Sequence, residues 1–478
     1  DGIRDSVASR GLGDVYKRQN IRMPDLTAYI DGQISRFQKE LCDFLRIPSI
    51  STNPSHAGEV RKCAEWVANH LHAAGIEKSE VIETDGHPIV LGEHRISEDA
   101  PTVLVYGHYD VQPSEPDDLW TSPPFEPTVR DGRLFARGSV DDKGQVHMHL
   151  KAIEARLASN VDMPVNLKLV IEGEEEVGSK HLGAFLDKNA ERLACDAVFI
   201  SDTGMFSPDL PCITTGLRGI VYTEINVYGP ASDLHSGSYG GAVVNPANAL
   251  ATILDGLKDD RGQATVPGYY DSVRPMTERE RADLIRLPMD EETLRETVGA
   301  VALGGEEGFS ALERMWYRPT LDVNGLLSGF TDEGSKTVLP SQAMAKVSMR
   351  LVPDQDPDQV VEAFEKRVHE LAPEGVTVEV KRFHGGAPWV ADTTHPIFDA
   401  ASKALERGFG APPAFIREGG SIPIVQVFED VFDAPALLIG FALPGSNMHA
   451  PNEWLDLSVY RKGIEALANL YGGLAAGL

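Results

Sequence analysis

Three short apolar runs in the first half of the chain lead straight into a histidine or an acid, and that arrangement leaves few folds open. Thr102-Val-Leu-Val-Tyr-Gly107 precedes His108, Asn166–Glu172 ends on its own carboxylate, and Ala197–Ser201 precedes Asp202. Continuous apolar runs of this length read as strands buried on both faces, as in a parallel sheet. Helical spacing over Asp25–Leu45, Glu59–Ala74 and Gly144–Leu157 supplies covering layers. The expected fold class is α/β, a mostly parallel sheet flanked by helices.

The pattern changes after Gly216. Ile220–Val227 alternates apolar and polar residues, as a half-exposed antiparallel strand does. A helix over Pro246–Leu257 follows, with Asn245 as its cap and Pro246 in its first turn. A strand at Ala343–Val352, a helix at Pro357–Leu371 and a strand at Val376–Phe383 complete a small α+β module with a long insertion, about Lys258–Lys336. From about Trp389 the α/β pattern returns. The expected organisation is one domain built from residues 23–215 and 389–478, with residues 216–388 inserted. Residues 1–22 show no periodicity, no apolar core and no small-residue cleavage site, so they are not read as a secretory signal. They are expected to be a non-native or disordered leader, with Met23 as the natural start.

A formal net charge of −28 argues against nucleic acid or an anionic membrane as partner, since both repel it. No apolar run is long enough for a membrane span. Cys42, Cys63, Cys195 and Cys212 have no paired spacing, which excludes a disulfide framework and a thiolate metal site. A reducing, cytoplasmic setting is expected.

Chemistry concentrates where strands end. In Gly107-His108-Tyr109-Asp110, alternate residues share a side, so Asp110 can support a metal-ligating His108 through its second nitrogen. Alone, the pair is better explained as a hydrogen-bonded loop histidine. In Arg137-Gly-Ser-Val-Asp-Asp-Lys-Gly144, Asp141 and Asp142 can cap a helix, and a carboxylate there can also bridge two metals. Glu172-Gly-Glu-Glu-Glu-Val-Gly178 is sharper: three consecutive glutamates after an apolar strand repel one another unless a cation or proton is shared. Glu175 and Glu176 can divide the work of general base and metal ligand. Asp202 ends another strand, and His449 lies in the loop Pro444-Gly-Ser-Asn-Met-His-Ala-Pro-Asn452. Two imidazoles and three carboxylates form a donor set suited to Zn²⁺ or Mn²⁺.

These motifs resemble the M20 family of metallopeptidases, in particular its cytosolic non-specific dipeptidase and carnosinase branch. The likeness runs from about Met23 to the C-terminus. It also takes in Leu234-His-Ser-Gly237, Lys336-Thr-Val-Leu-Pro340, Arg350-Leu-Val-Pro353 and Arg417-Glu-Gly-Gly-Ser-Ile-Pro423. The resemblance implies a zinc-peptidase-like catalytic domain with an inserted α+β lid and dimerisation domain. It implies that Asp141 bridges two divalent ions, Zn²⁺ first and Mn²⁺ second. His108 and Asp202 would complete one shell, Glu176 and His449 the other. It further implies that Asp110 orients His108, that Glu175 is the general base, and that the Asp141–Asp142 peptide is cis. His235 would stabilise the oxyanion from a second subunit, so a homodimer is expected. Thr337, Arg350 and Ser421 would bind substrate alongside His235. Aspartate at Asp202 favours dipeptides, where carboxypeptidase and deacylase relatives tend to carry glutamate. The alternatives are an M20 N-acyl-amino-acid deacylase or carboxypeptidase and, in a different class, a catalytically inactive metal-stabilised binding protein.

Overall fold

The computed structural model describes residues 26–159, 161–420, 422–474 and 478. The leader 1–22, Met23 and Ser421 lie outside the described residues.

Both ends of the chain build one nine-stranded sheet. Its middle is parallel, in the order Asn166–Glu172, Thr102–His108, Ala197–Ile200 and Ala436–Leu438. Strands Lys78–Ile82 and Ile89–His94 extend one side antiparallel, and Cys212–Leu217 and Trp389–Val390 do so on the other. The sheet is therefore mixed, and its parallel part is the centre. Antiparallel edges need only short connections, whereas each parallel neighbour needs a crossover, which the helices supply. Ala414–Glu418 pairs parallel with Cys212–Leu217.

Helix Lys143–Ala158 is buried from Lys143 to Arg156 even though its sequence is rich in polar residues. Helices Leu26–Leu45 and Leu457–Gly473 pack beside it, and the main apolar core spans all three. Its start lies close against the central strand: a Cβ on Gly107 would sit 2.5 Å from Val146 Cγ2 and 2.9 Å from Asp142 Oδ2. Glycine at that position lets the strand end and the helix start meet.

The second sheet is four-stranded and antiparallel, in the order Thr320–Ser328, Gln342–Leu351, Gly219–Tyr228 and Thr377–Gly386. Helices Pro246–Gly256 and Pro357–Leu371 cover one face, with Ile225, Ile253, Val347 and Phe364 in a separate core. The expected cap is present: Asn245 Oδ1 accepts from Ala247 N at 2.9 Å. Asp356 caps the other helix through Asp358 N at 2.8 Å.

The stretch Lys258–Lys336 is less of an insertion than its sequence indicates. Thr320–Ser328 within it is a strand of the small sheet. Its helices Glu278–Arg286 and Ala311–Trp316 pack on Ala414–Glu418, and Leu312, Trp316 and Tyr317 join the main core. Arg286 donates to the carbonyls of Pro412 and Pro413 at 3.0 and 3.1 Å. This segment ties the two sheets together.

Candidate metal centre

Parallel pairing brings the strand ends level. His108 stands opposite Glu172, and Tyr106 opposite Ile200, two residues before Asp202. Ligands of open α/β sheets bind beyond these carboxyl ends. Asp141 and Asp142 reach the same place from the start of helix Lys143–Ala158, and their peptide is cis.

His108, Asp141 and Asp202 form one group whose ligand atoms lie within 4.8 Å of one another, and Asp141, Glu176 and His449 form a second. Asp141 belongs to both. Its Oδ1 is 3.3 Å from His108 Nε2, and its Oδ2 is 2.9 Å from His449 Nε2. His108 Nε2 is 3.9 Å from Asp202 Oδ2, and His449 Nε2 is 3.3 Å from Glu176 Oε2. Two ligands on one tetrahedral zinc are about 3.3 Å apart, given the usual metal–ligand distances. His108 Nε2 is wholly buried without a hydrogen-bond partner, as a nitrogen kept for a cation would be.

The electrostatics agree with this. Burial pushes Glu176 up to about 8, with nearby Asp141 adding to the rise. Burial also raises Asp202 well above the usual carboxylate range. Asp141 resists its own burial and falls, because His108 and His449 both face it. His449 rises to about 9 through Asp141. Such crowded buried acids call for shared positive charge, and the residues fit two divalent cations.

Asp110 is fully buried. His108 Nδ1 lies 3.1 Å from its carbonyl oxygen and 3.4 Å from its Oδ1. The same carboxylate accepts from the backbone amides of Glu175 and Glu176 at 3.3 and 3.1 Å. The glutamate turn therefore hangs from the residue beneath the first histidine. Glu175 is half-buried, and desolvation raises its pKa.

His449 stands at φ +60° in the left-handed region, which histidine seldom occupies. Its loop is pinned by Trp454 Nε1 on Gly445 O at 2.7 Å and by Asn452 Nδ2 on Leu119 O at 2.8 Å.

The other expected residues sit elsewhere. His235 and Thr337 are exposed and adjacent across a two-strand ladder, with Ser236 N donating to Thr337 O at 3.0 Å. Among the described residues, neither enters the ion pairs of the metal cluster. Arg350 lies on Gln342–Leu351 opposite Ile220, half-buried, with its pKa lowered by desolvation.

Three further residues escaped sequence reasoning, two of them near the site. Gln112 Nε2 donates to Glu176 Oε2 at 2.7 Å. Arg218, at the junction of the two sheets, donates through Nε to Gly419 O at 3.1 Å. Glu453 is buried beneath the Asp141 loop. Only Glu453 had a sequence signal, an acid four residues after His449.

Fold and cluster together define a protein of α/β architecture with a candidate site for two metal ions, the class of a metal-dependent hydrolase. Residues 104–472 match peptidase family M20/M25/M40, and the chain belongs to that family. It is 34% identical over 462 residues to the Cys-Gly metallodipeptidase of Schizosaccharomyces pombe, covering 94% of this chain and 97% of that protein. It is 31% identical over 460 residues to the Beta-Ala-His dipeptidase of Homo sapiens, covering 93% and 91%. The M20 family metallo-carboxypeptidase Sso-CP2 from Sulfolobus solfataricus has a similar structure, with a TM-score of 0.81 at 32% identity, covering 92% of this chain and 99% of that one.

Proposed function

We propose that the protein hydrolyses the peptide bond of dipeptides and similar short peptides. The observation that carries this reading is Asp141, with one carboxylate oxygen toward each of two ligand groups. The substrate class is supported by two relatives that align over nearly the whole chain, a Cys-Gly and a Beta-Ala-His dipeptidase. Divalent cations held there would supply Lewis acidity to the amide carbonyl and would make the attacking water more acidic. The donor set suits Zn²⁺ first and Mn²⁺ second.

Each residue then has a task. His108 and Asp202 hold one cation, Glu176 and His449 the other, and Asp141 both. Glu175 is the general base: it takes the proton of the attacking water and returns it to the leaving amine. Asp110 orients His108 and, through two backbone amides, the turn that carries base and ligand. Arg350 receives the substrate carboxylate on its planar fork, and Thr337 and Ser421 are further substrate-binding residues. His235 donates to the developing oxyanion. Its exposure supports a homodimer in which His235 of one subunit completes the site of the other. Residues 216–388 then serve as lid and dimerisation domain, and 23–215 with 389–478 as catalytic domain. Exposed Val323, Leu326 and Leu327 on the edge strand Thr320–Ser328 support association through that lid. Among the described residues no helix is long and apolar enough to cross a membrane, and all four cysteines are free, which fits a cytoplasmic enzyme.

The test is turnover of a dipeptide panel beside N-acetyl and N-succinyl amino acids, with and without chelator. Dipeptide cleavage that chelation abolishes is expected. Activity surviving complete metal removal overturns the metal chemistry. Cleavage of acyl-amino acids alone identifies a deacylase, and metal binding without any turnover identifies a binding protein.

A further inference from the structure

Glu453 is 0% exposed, four residues beyond exposed His449. Its carboxylate accepts four hydrogen bonds, all from the loop leading into Asp141. Oε2 receives Arg137 Nη1 and Gly138 N, each at 2.8 Å. Oε1 receives Val140 N at 2.9 Å and Asp141 N at 3.2 Å. Its own carbonyl accepts from Ala136 N at 3.2 Å. An ionised carboxylate is acceptor-only, and here every donor it faces is matched to it.

Arg137, 1% exposed, carries the tie further. Its Nη2 donates to Pro113 O at 3.0 Å, next to Gln112, which donates to Glu176. One buried ion pair thus joins three loops: those bearing Asp141, bearing His449, and bearing the amide that holds Glu176. These are the ligands of a single cation group. The other group is scaffolded differently, since His108 ends a strand paired on both sides and Asp202 closely follows another.

We propose that Glu453 is a positioning residue for the cation held by Asp141, Glu176 and His449. With Arg137 it holds these three at coordinating separation before the ion arrives, so it acts mainly on affinity at that position, where all three ligands are tied, and less on the other cation, which shares only Asp141. The inference rests on the two-cation reading above. Removing the carboxylate leaves a buried guanidinium and three amides without their acceptor, and it frees a loop whose histidine is held in the left-handed region.

Calorimetric titration of the apoprotein with Zn²⁺, with elemental analysis of bound metal, tests it. Glu453→Gln keeps the shape but turns an amide donor toward backbone or guanidinium donors. One of the two cations is expected to weaken about 10- to 100-fold, as supporting contacts to ligands typically cost, while the other, which shares only Asp141 with that loop, weakens less. In turnover, kcat falls at limiting Zn²⁺ and recovers as Zn²⁺ is raised, with KM for a dipeptide unchanged. Arg137→Lys retains the charge but cannot serve both Glu453 and Pro113, so it shifts the same cation to a smaller extent. It decides the matter alone if Glu453→Gln does not fold. Combining Glu453→Gln with His449→Ala adds little to the loss from His449→Ala, because both act on one position. A residue that only supports the fold would lower the apo melting temperature and leave both affinities intact. That result in folded variants overturns the inference while two ions in the wild type keep the functional reading. Fewer than two ions in the wild type overturns that reading instead.

Discussion

His108 and His235 both occur in short motifs ending in a polar turn, yet the chain treats them in opposite ways. His108 is wholly buried at the end of a central strand, braced by Asp110 and facing two carboxylates. His235 is exposed on a two-residue ladder, with Ser238 Oγ 3.5 Å from its Nδ1. A cation needs ligands arranged before it arrives, so the large sheet buries His108 and Asp110 at its strand end and satisfies Asp110 with backbone amides. The proposed substrate contacts His235 and Thr337 lie exposed at the two-strand ladder, as groups that must admit and release a molecule would. The candidate cation ligands thus cluster at the large sheet, and the proposed recognition residues lie apart from them.

Two substitutions separate these roles. Glu175→Gln is expected to lower kcat by about 10²- to 10⁴-fold, the usual yield of a general base, with Zn²⁺ stoichiometry unchanged. Turnover near wild type in a fully loaded enzyme would remove Glu175 from the mechanism. His235→Ala is expected to cost about 10²- to 10³-fold in kcat, as loss of an oxyanion donor does, without altering metal binding or melting temperature. Mixing His235→Ala protomers with Glu175→Gln protomers should recover part of the activity. No recovery places His235 in the site of its own chain and dissolves the contrast between the two sheets.

The smallest effect concerns stability on the large-sheet side. His149 is buried in helix Lys143–Ala158, within hydrogen-bonding distance of Tyr471 OH (2.6 Å) and Ser201 Oγ (2.8 Å), and burial alone lowers its pKa to about 3. The unfolded chain binds this proton near its ordinary value of about 6.5, so between those values the unfolded state holds more protons. Stability from His149 is therefore full above pH 6.5 and declines as pH falls toward 3. From pH 6.5 to 5 the loss is about 1.5 kcal/mol for one such group. Denaturant melts of wild type and His149→Gln across this window should show a flatter acid slope in the variant. Equal slopes would mean that His149 does not stay neutral in the folded protein.

Much of the site was readable because metal ligands occupy the ends of strongly patterned elements. Apolar runs located His108 and Asp202, and the glycine-flanked glutamates located Glu176. The helix Pro357–Leu371 matches its expected bounds end for end, and its Asp356 cap is seen only in the structure. Glu453 and Gln112 stayed hidden, since a lone acid or amide in a loop has no period and its partners lie elsewhere in the chain. Glu453 meets Arg137 across 316 positions. The strand Thr320–Ser328 was missed because its outer residues are exposed, so its apolar alternation fails after Leu321.

Pattern and residue chemistry alone determined that this chain builds an α/β sheet with carboxylates and imidazoles at its strand ends. That information is local, because burial on two faces demands apolar runs and a cation demands acids or imidazoles. Tertiary structure decided which of those groups meet. It turned one oxygen of Asp141 toward His108 and the other toward His449, and it made antiparallel strands the edges of the sheet. It also buried a helix as polar as Lys143–Ala158 on all sides. Such a helix is stable inside only when partners such as Tyr460, Tyr471 and Glu40 arrive from distant segments to satisfy it. No local pattern encodes that arrival.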